Sequence, residues 1–95
     1  MTLVFEWDPR KARSNLRKHH VSFAEAVSVF ADPLARIFPD EEHSHEEVRE
    51  IIIGHSPLQR LLLVCFTELG DRVRIISARR ATREEQNDYE EHVTN

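Results

Sequence analysis

The spacing of apolar residues along this chain changes from helical to strand-like about a third of the way in. Leu3 to Trp7 forms a short extended run closed by Asp8-Pro9. Aspartate caps helix N-termini and proline fits the first helical position, so a helix is predicted from there to about His19. On a 3.6-residue wheel Ala12, Leu16 and His19 share one side, Arg10, Arg13 and Arg17 another, and Lys11 and Lys18 a third. That apolar stripe is thin, and the helix is expected to rest lightly on its neighbour. Ser22-Phe23-Ala24-Glu25 is a capping box, and Phe23, Ala26, Val27 and Phe30 then recur at i, i+3, i+4 and i+7. A core-facing helix ending at Asp32-Pro33 follows.

Beyond Pro33 the pattern suits strands. Four are predicted: Leu34 to Phe38, about Val48 to His55, Arg60 to Glu68, and Arg72 to Ala78. The last three are joined by Ser56-Pro57-Leu58-Gln59 and Leu69-Gly70-Asp71, each short enough for a hairpin. Thr82 with Glu85 forms another capping box, so a last helix begins after Thr82. The expected fold is therefore α+β, a single domain over residues 1–95 in the order β-α-α-β-β-β-β-α. One mainly antiparallel sheet carries its helices on one face. In the last strand, strict alternation would place Val73, Ile75 and Ser77 on one side and Arg72, Arg74, Ile76 and Ala78 on the other.

Charge changes this picture by being sorted along the chain. The whole has a formal net charge of -4, yet Arg72 to Arg83 holds five arginines and no acid. Pro9 to His20 is likewise basic, whereas Asp40 to Glu50 and Glu84 to Glu91 are acidic. A local positive field of this kind attracts phosphate, and arginine offers a planar fork of donors suited to it. The same arginines would equally serve as a solvated face paired with nearby acids. Bulk charge does not favour nonspecific nucleic-acid binding at a pI near 5.8.

Composition excludes several classes. A hydrophobic content of 40% is too high for disorder. The longest apolar run, Leu61 to Phe66, is too short to span a bilayer. The N-terminus lacks the features of a signal peptide, so a cytoplasmic location is expected, without membrane association. A single cysteine, Cys65, rules out a disulfide framework and within that run reads as a buried, inert thiol. His43 and His45 would share a side of an extended chain and could join a carboxylate around a transition metal, but the segment reads more simply as a solvated acidic loop. No metal or cofactor is expected.

A series of short motifs adds a family to this reading. Phe5-Glu6-Trp7-Asp8-Pro9, Lys11-Ala12, Asn15, Lys18-His19, Val21-Ser22-Phe23 and Val29-Phe30-Ala31-Asp32-Pro33 resemble, in order, BrnT, the toxin of BrnT and BrnA type II toxin-antitoxin systems. The resemblance continues through Gly54 and Ser56, Arg60-Leu61-Leu62, Thr67-Glu68 and Arg74-Ile75-Ile76-Ser77-Ala78-Arg79 to Thr82, Glu85 and Tyr89. It implies a RelE-like ribonuclease that halts translation by cutting RNA. It also implies a cognate BrnA-like antitoxin with a ribbon-helix-helix DNA-binding domain, so that DNA is reached only through that partner. The chain departs from the family at His20, where glycine is usual, at Leu69, where arginine is common, and in its less basic last helix.

Metal-free RNA cleavage needs a base for the 2′-hydroxyl, a cation at the scissile phosphate and help for the departing 5′-oxygen. Arg74 and Arg79 are the candidates for charge stabilisation, and Arg72 and Arg80 for holding the RNA backbone. Lys11 and Lys18 on the basic first helix are expected to add RNA contacts. Glu68 is a candidate base or a group that orients an arginine, or alternatively a salt-bridge partner for Arg72 or Arg74 across the hairpin. His19 matches the family's Lys-His pair and could move a proton, although its place beside Ala12 and Leu16 suits a packed structural histidine. Tyr89 resembles the C-terminal tyrosine of RelE-like active sites but, like Trp7, reads more simply as a core aromatic, with stacking on a base the alternative for Trp7. The expected products carry a 2′,3′-cyclic phosphate. A non-catalytic module that keeps the fold and the antitoxin interface is the alternative, since no undisputed general base is visible.

Overall fold

The computed structural model describes residues 3–43 and 47–94. In chain order these form β1 (Val4–Glu6), α1 (Pro9–His19), α2 (Phe23–Ser28) with a 3-10 turn at Val29–Ala31, and β2 (Arg36–Pro39). A 3-10 turn at Glu41–His43, then β3 (Glu50–His55), β4 (Leu61–Leu69), β5 (Arg72–Arg80) and α3 (Arg83–Thr94) complete it. The predicted N-terminal caps of the first two helices are made: Asp8 accepts from the Arg10 N–H at 2.8 Å and Ser22 from the Glu25 N–H at 3.0 Å. Among the described residues no helix is long and apolar enough to cross a membrane.

The five strands lie in the order β1-β5-β4-β3-β2. From β2 to β5 they form the expected antiparallel meander, but β1 pairs with β5 in parallel, so the sheet is mixed and not simply antiparallel. Parallel neighbours need a long crossover between them. Here α1, α2 and the whole meander supply it.

A second correction concerns the helices. Val21, Phe23, Ala26 and Val29 pack with Ile52, Leu62, Val64, Phe66, Val73, Ile75 and Ala78 into the main core, placing α1 and α2 on one face of the sheet. Tyr89 of α3 instead packs with Ile53, Leu61 and Leu63 on the other face. The run Leu61-Leu62-Leu63-Val64 explains this, because all four are buried and a strand buried on consecutive positions must be covered on both sides.

The third correction decides where the arginines point. A β-bulge between the Phe66↔Ile75 and Cys65↔Ser77 pairs leaves Ile76 as an extra residue on β5. Before it, Val73 and Ile75 face the core; after it, Ala78 does, while Ser77 and Arg79 join Arg72 and Arg74 on the second face. Strict alternation fails at one residue, and every side chain beyond it changes sides.

Asn15 holds this bulged segment to α1. Its amide donates to the Val21 carbonyl at 2.9 Å and the Ala78 carbonyl at 2.8 Å, and its oxygen accepts from the Ala78 N–H at 3.0 Å. With only 6% of its surface exposed, Asn15 takes the inward position of α1, while Leu16 is left 50% exposed. At Gly54 the Val29–Ala31 turn crosses so close that a Cβ would sit 2.9 Å from Ala35 Cβ and 3.0 Å from an Asp32 carboxylate oxygen. Asp32 uses that approach to accept from the His55 N–H at 2.7 Å.

Helix α1 ends where His20 adopts a left-handed conformation, φ 57 and ψ 32, with its N–H bonded to the Leu16 carbonyl. A side chain is costly there. His20→Gly is therefore expected to raise stability by about 0.5–1 kcal/mol, the strain relieved being partly offset by the freer unfolded chain. Denaturant titration of both proteins checks the sign.

Candidate functional site

The second face of the sheet opens into a cleft of about 290 Å³. Its floor includes Leu63 and Cys65 of β4 with Ser77 and Arg79 of β5; His19 at the end of α1 forms one side, and Asp40 and His43 form another. His19 is exposed and lines this cleft, so the packed reading does not hold. Once Asn15 takes the buried position, a residue four further on stays beside the same strand but beyond its edge.

Arg79 reaches the cleft from the strand that the bulge has turned over. Its Nη1 donates to Glu85 Oε1 at 2.8 Å and its Nη2 to Glu85 Oε2 at 2.9 Å, with a longer bond from Nη1 to the Arg80 carbonyl at 3.3 Å. Glu85 also accepts from the Thr82 N–H at 2.9 Å, and Thr82 Oγ1 accepts from the Glu85 N–H at 3.1 Å, which completes the predicted capping box. The Arg79 guanidinium, opposed by partial burial and aided by Thr82, holds the Glu85 carboxyl down at about 2.

Arg72 and Arg74 occupy a separate part of the same face. Both pair with Glu6 of β1, at 3.0 and 3.3 Å. Glu68, the expected partner, lies opposite Val73 and so belongs to the face covered by α1 and α2. Neither can Glu68 reach the cleft, because consecutive register places it on the wrong side. Arg74 also borders a pocket with Glu6, Trp7 and Lys11. Arg79 lies five positions beyond Arg74 along the strand, about 15 Å, so the two arginines meet different parts of any ligand.

The remaining candidates divide. Arg80 pairs in register with Leu62 on the face covered by α1 and α2, where its charge helps keep Glu25 ionised, although hydrogen bonding from Arg60 is the main cause. Lys11 and Lys18 are exposed on α1. His43 Nδ1 sits 3.1 Å from an Asp40 carboxylate oxygen, and His45 lies outside the described residues. No group of three or more metal-ligating side chains is assembled among the described residues. Tyr89 is buried and donates its hydroxyl to the Leu34 carbonyl at 3.0 Å, anchoring α3. Trp7, 38% exposed, meets Phe23 edge-on at 6.0 Å.

Cys65 borders the cleft but is chemically quiet. Burial first, and then the Asp40 carboxylate, push its thiol up to about 11. It is expected to react with iodoacetamide at pH 7.5 at least tenfold more slowly than a free thiol, since only the thiolate attacks. Alkylation followed by mass spectrometry measures this.

Sequence reasoning missed Asn15, Glu6 and the second role of Glu85. The capping box did place Glu85 just past the strand exit, and its reach back to Arg79 was the available signal. Other motif residues prove to be structural: Arg60 bonds both carboxylate oxygens of Glu25 and donates to the His20 carbonyl at 2.9 Å, and Ser56 Oγ donates to Glu25 at 2.7 Å.

The crystal structure of the Brucella abortus ribonuclease toxin BrnT has a similar fold, with a TM-score of 0.66 and 24% sequence identity over 87% of this chain and 100% of that one. Comparison with curated proteins gave no match. The family model described as "Ribonuclease toxin, BrnT, of type II toxin-antitoxin system" matches residues 7–85, which include α1, α2 and strands β2 to β5 with the arginine-bearing cleft face. The chain belongs to the BrnT family of ribonuclease toxins of type II toxin-antitoxin systems.

Proposed function

We propose that this protein is an endoribonuclease of RelE-like chemistry that cuts RNA in the cleft at the end of β5 without a metal ion. The observation that carries this reading is the bulge at Ile76, which brings Arg79 onto the face where His19 and His43 line the same cleft. In this reading His19 takes the proton of the 2′-hydroxyl, and the 2′-oxygen attacks phosphorus. Arg79 offsets the negative charge that develops on the phosphoryl oxygens. The bond from phosphorus to the 5′-oxygen breaks, and His43, held through Nδ1 by Asp40, returns a proton to that oxygen. The products are a 2′,3′-cyclic phosphate and a 5′-hydroxyl.

Arg72, Arg74, Lys11 and Lys18 hold flanking backbone, and Arg80 and Glu68 fall outside this track. A BrnA-like ribbon-helix-helix antitoxin in the same cytoplasm covers the basic surface and carries the only contact with DNA. One observation favours the non-catalytic alternative: Glu6 and Glu85 already pair with Arg72, Arg74 and Arg79.

Purified protein incubated with single-stranded RNA in excess chelator separates these readings. Cleavage at an undiminished rate, leaving cyclic phosphate ends, is the expected result. Activity lost to chelator and restored by a divalent cation would overturn metal independence. Antitoxin binding without any cleavage would establish the binding module.

A further inference from the structure

We propose that Glu85 is a positioning residue that turns Arg79 so that one edge of its guanidinium is a preformed subsite for the scissile phosphodiester. This rests on the nuclease reading above and specifies how its central cation is held. Both hydrogens of Arg79 Nη1 are engaged, one by Glu85 Oε1 and one by the Arg80 carbonyl, and one hydrogen of Nη2 goes to Glu85 Oε2. What remains is the Nε–H and the outer Nη2–H. These two lie parallel on the same edge of the plane, the arrangement that grips two oxygens of one phosphate.

Glu85 can fix that plane because it is itself fixed. It sits in the first turn of α3, locked to Thr82 in both directions by the capping box. Tyr89, one turn further on, anchors the helix to the sheet through Ile53, Leu61 and Leu63. An arginine on a strand end without such a brace would sample many rotamers, and each would have to be lost on reaching the transition state. The carboxylate therefore does not compete with RNA for the donors that RNA needs. It occupies the other fork.

Glu85→Gln tests this in the full-length protein. Glutamine still serves in a capping box, so the helix start is kept, but it cannot accept a charged two-oxygen fork. Glu84→Gln removes the same charge from the neighbouring exposed position without touching Arg79. With a single-stranded RNA substrate, Glu85→Gln is expected to lower kcat about 10- to 100-fold with little change in KM, while Glu84→Gln matches the parent. Independently of cleavage, the Arg79 Nε–H resonance should be sharp in the parent and shift when a 2′-deoxy oligonucleotide is added. In Glu85→Gln it should broaden and shift less.

A Glu85→Gln variant that cuts as fast as the parent or faster would overturn the proposal, showing the carboxylate to be idle or inhibitory. So would a rise in KM alone. If the parent cuts no RNA, the nuclease reading falls by itself, and the resonance still decides whether the braced edge of Arg79 binds a phosphodiester.

Discussion

Replacing Arg79 with alanine is expected to slow RNA cleavage by about 100- to 1000-fold, or roughly 2–4 kcal/mol in activation free energy, the usual loss when one oriented donor to a developing anion is removed. Two of its donors lie outside the Glu85 fork, and Arg72, Arg74, Arg80, Lys11 and Lys18 do not line the cleft. Arg74 stands about 15 Å away along β5. Lys11 lies beside Arg74, in the pocket with Trp7, and so cannot substitute.

Stability should respond much less. Arg79 and Glu85 are 43% and 30% exposed, and water screens such a pair, so the lost fork is expected to cost about 1 kcal/mol. The pair also has a pH signature. Glu85 titrates near 2 when folded, below its ordinary value of 4.5, so its contribution is fully present above about pH 4.5 and is lost as pH falls toward 2. In Arg79→Ala this acid-side loss should shrink. Cleavage rates and acid unfolding curves for both proteins measure the two effects. Arg10→Ala, on the exposed stripe of α1, is the comparison: it should weaken RNA affinity by at most about one unit of salt slope. Cleavage by Arg79→Ala at the parental rate would remove the site from the end of β5.

How far the sequence disclosed this site depended on whether its signals were local. Asp8-Pro9, Ser22 with Glu25, and Thr82 with Glu85 are contained within a few residues, and all three caps form where they are expected. The hairpins were legible for the same reason. What escaped was set by contacts across the chain. The parallel pairing of β1 with β5 joins residues 68 apart, and with it came Glu6 as the partner of Arg72 and Arg74 in place of Glu68. The bulge was hidden because Ile76 is as apolar as its neighbours, and alternation cannot show which of two adjacent isoleucines is the extra one. Its consequence is large, since it exchanges the faces of Arg79 and Arg80. The four consecutive buried residues Leu61 to Val64 were a visible sign that both faces needed cover, and reading them as a one-faced strand put α3 on the wrong side.

Asn15→Leu is expected to lower stability by about 3–5 kcal/mol, a large part of what a domain of this size possesses. The side chain makes three buried hydrogen bonds, and leucine, close to asparagine in size, fills the volume while leaving the Val21 and Ala78 carbonyls and the Ala78 N–H without it. Each such group costs about 1–3 kcal/mol when left unpaired, although the strand ladder shares part of the load at Ala78. The fall in thermal midpoint should be roughly 12 °C or more. Asn15→Asp should fail similarly, because it keeps an acceptor for the Ala78 N–H but sets a carboxylate oxygen against two carbonyl oxygens. Function should follow the same bonds. Ala78 lies between Ser77 and Arg79, directly after the bulge, and His19 is one helical turn beyond Asn15. One side chain thus fixes both the strand segment that carries Arg79 and the helix end that carries His19. Under conditions where Asn15→Leu remains folded, its kcat should therefore fall, with the Arg79 Nε–H resonance displaced even before RNA is added. If Asn15→Leu unfolds within about 1 kcal/mol of the parent and keeps its rate, the amide is not what holds the bulge, and the alignment of the cleft must come from packing of the core alone.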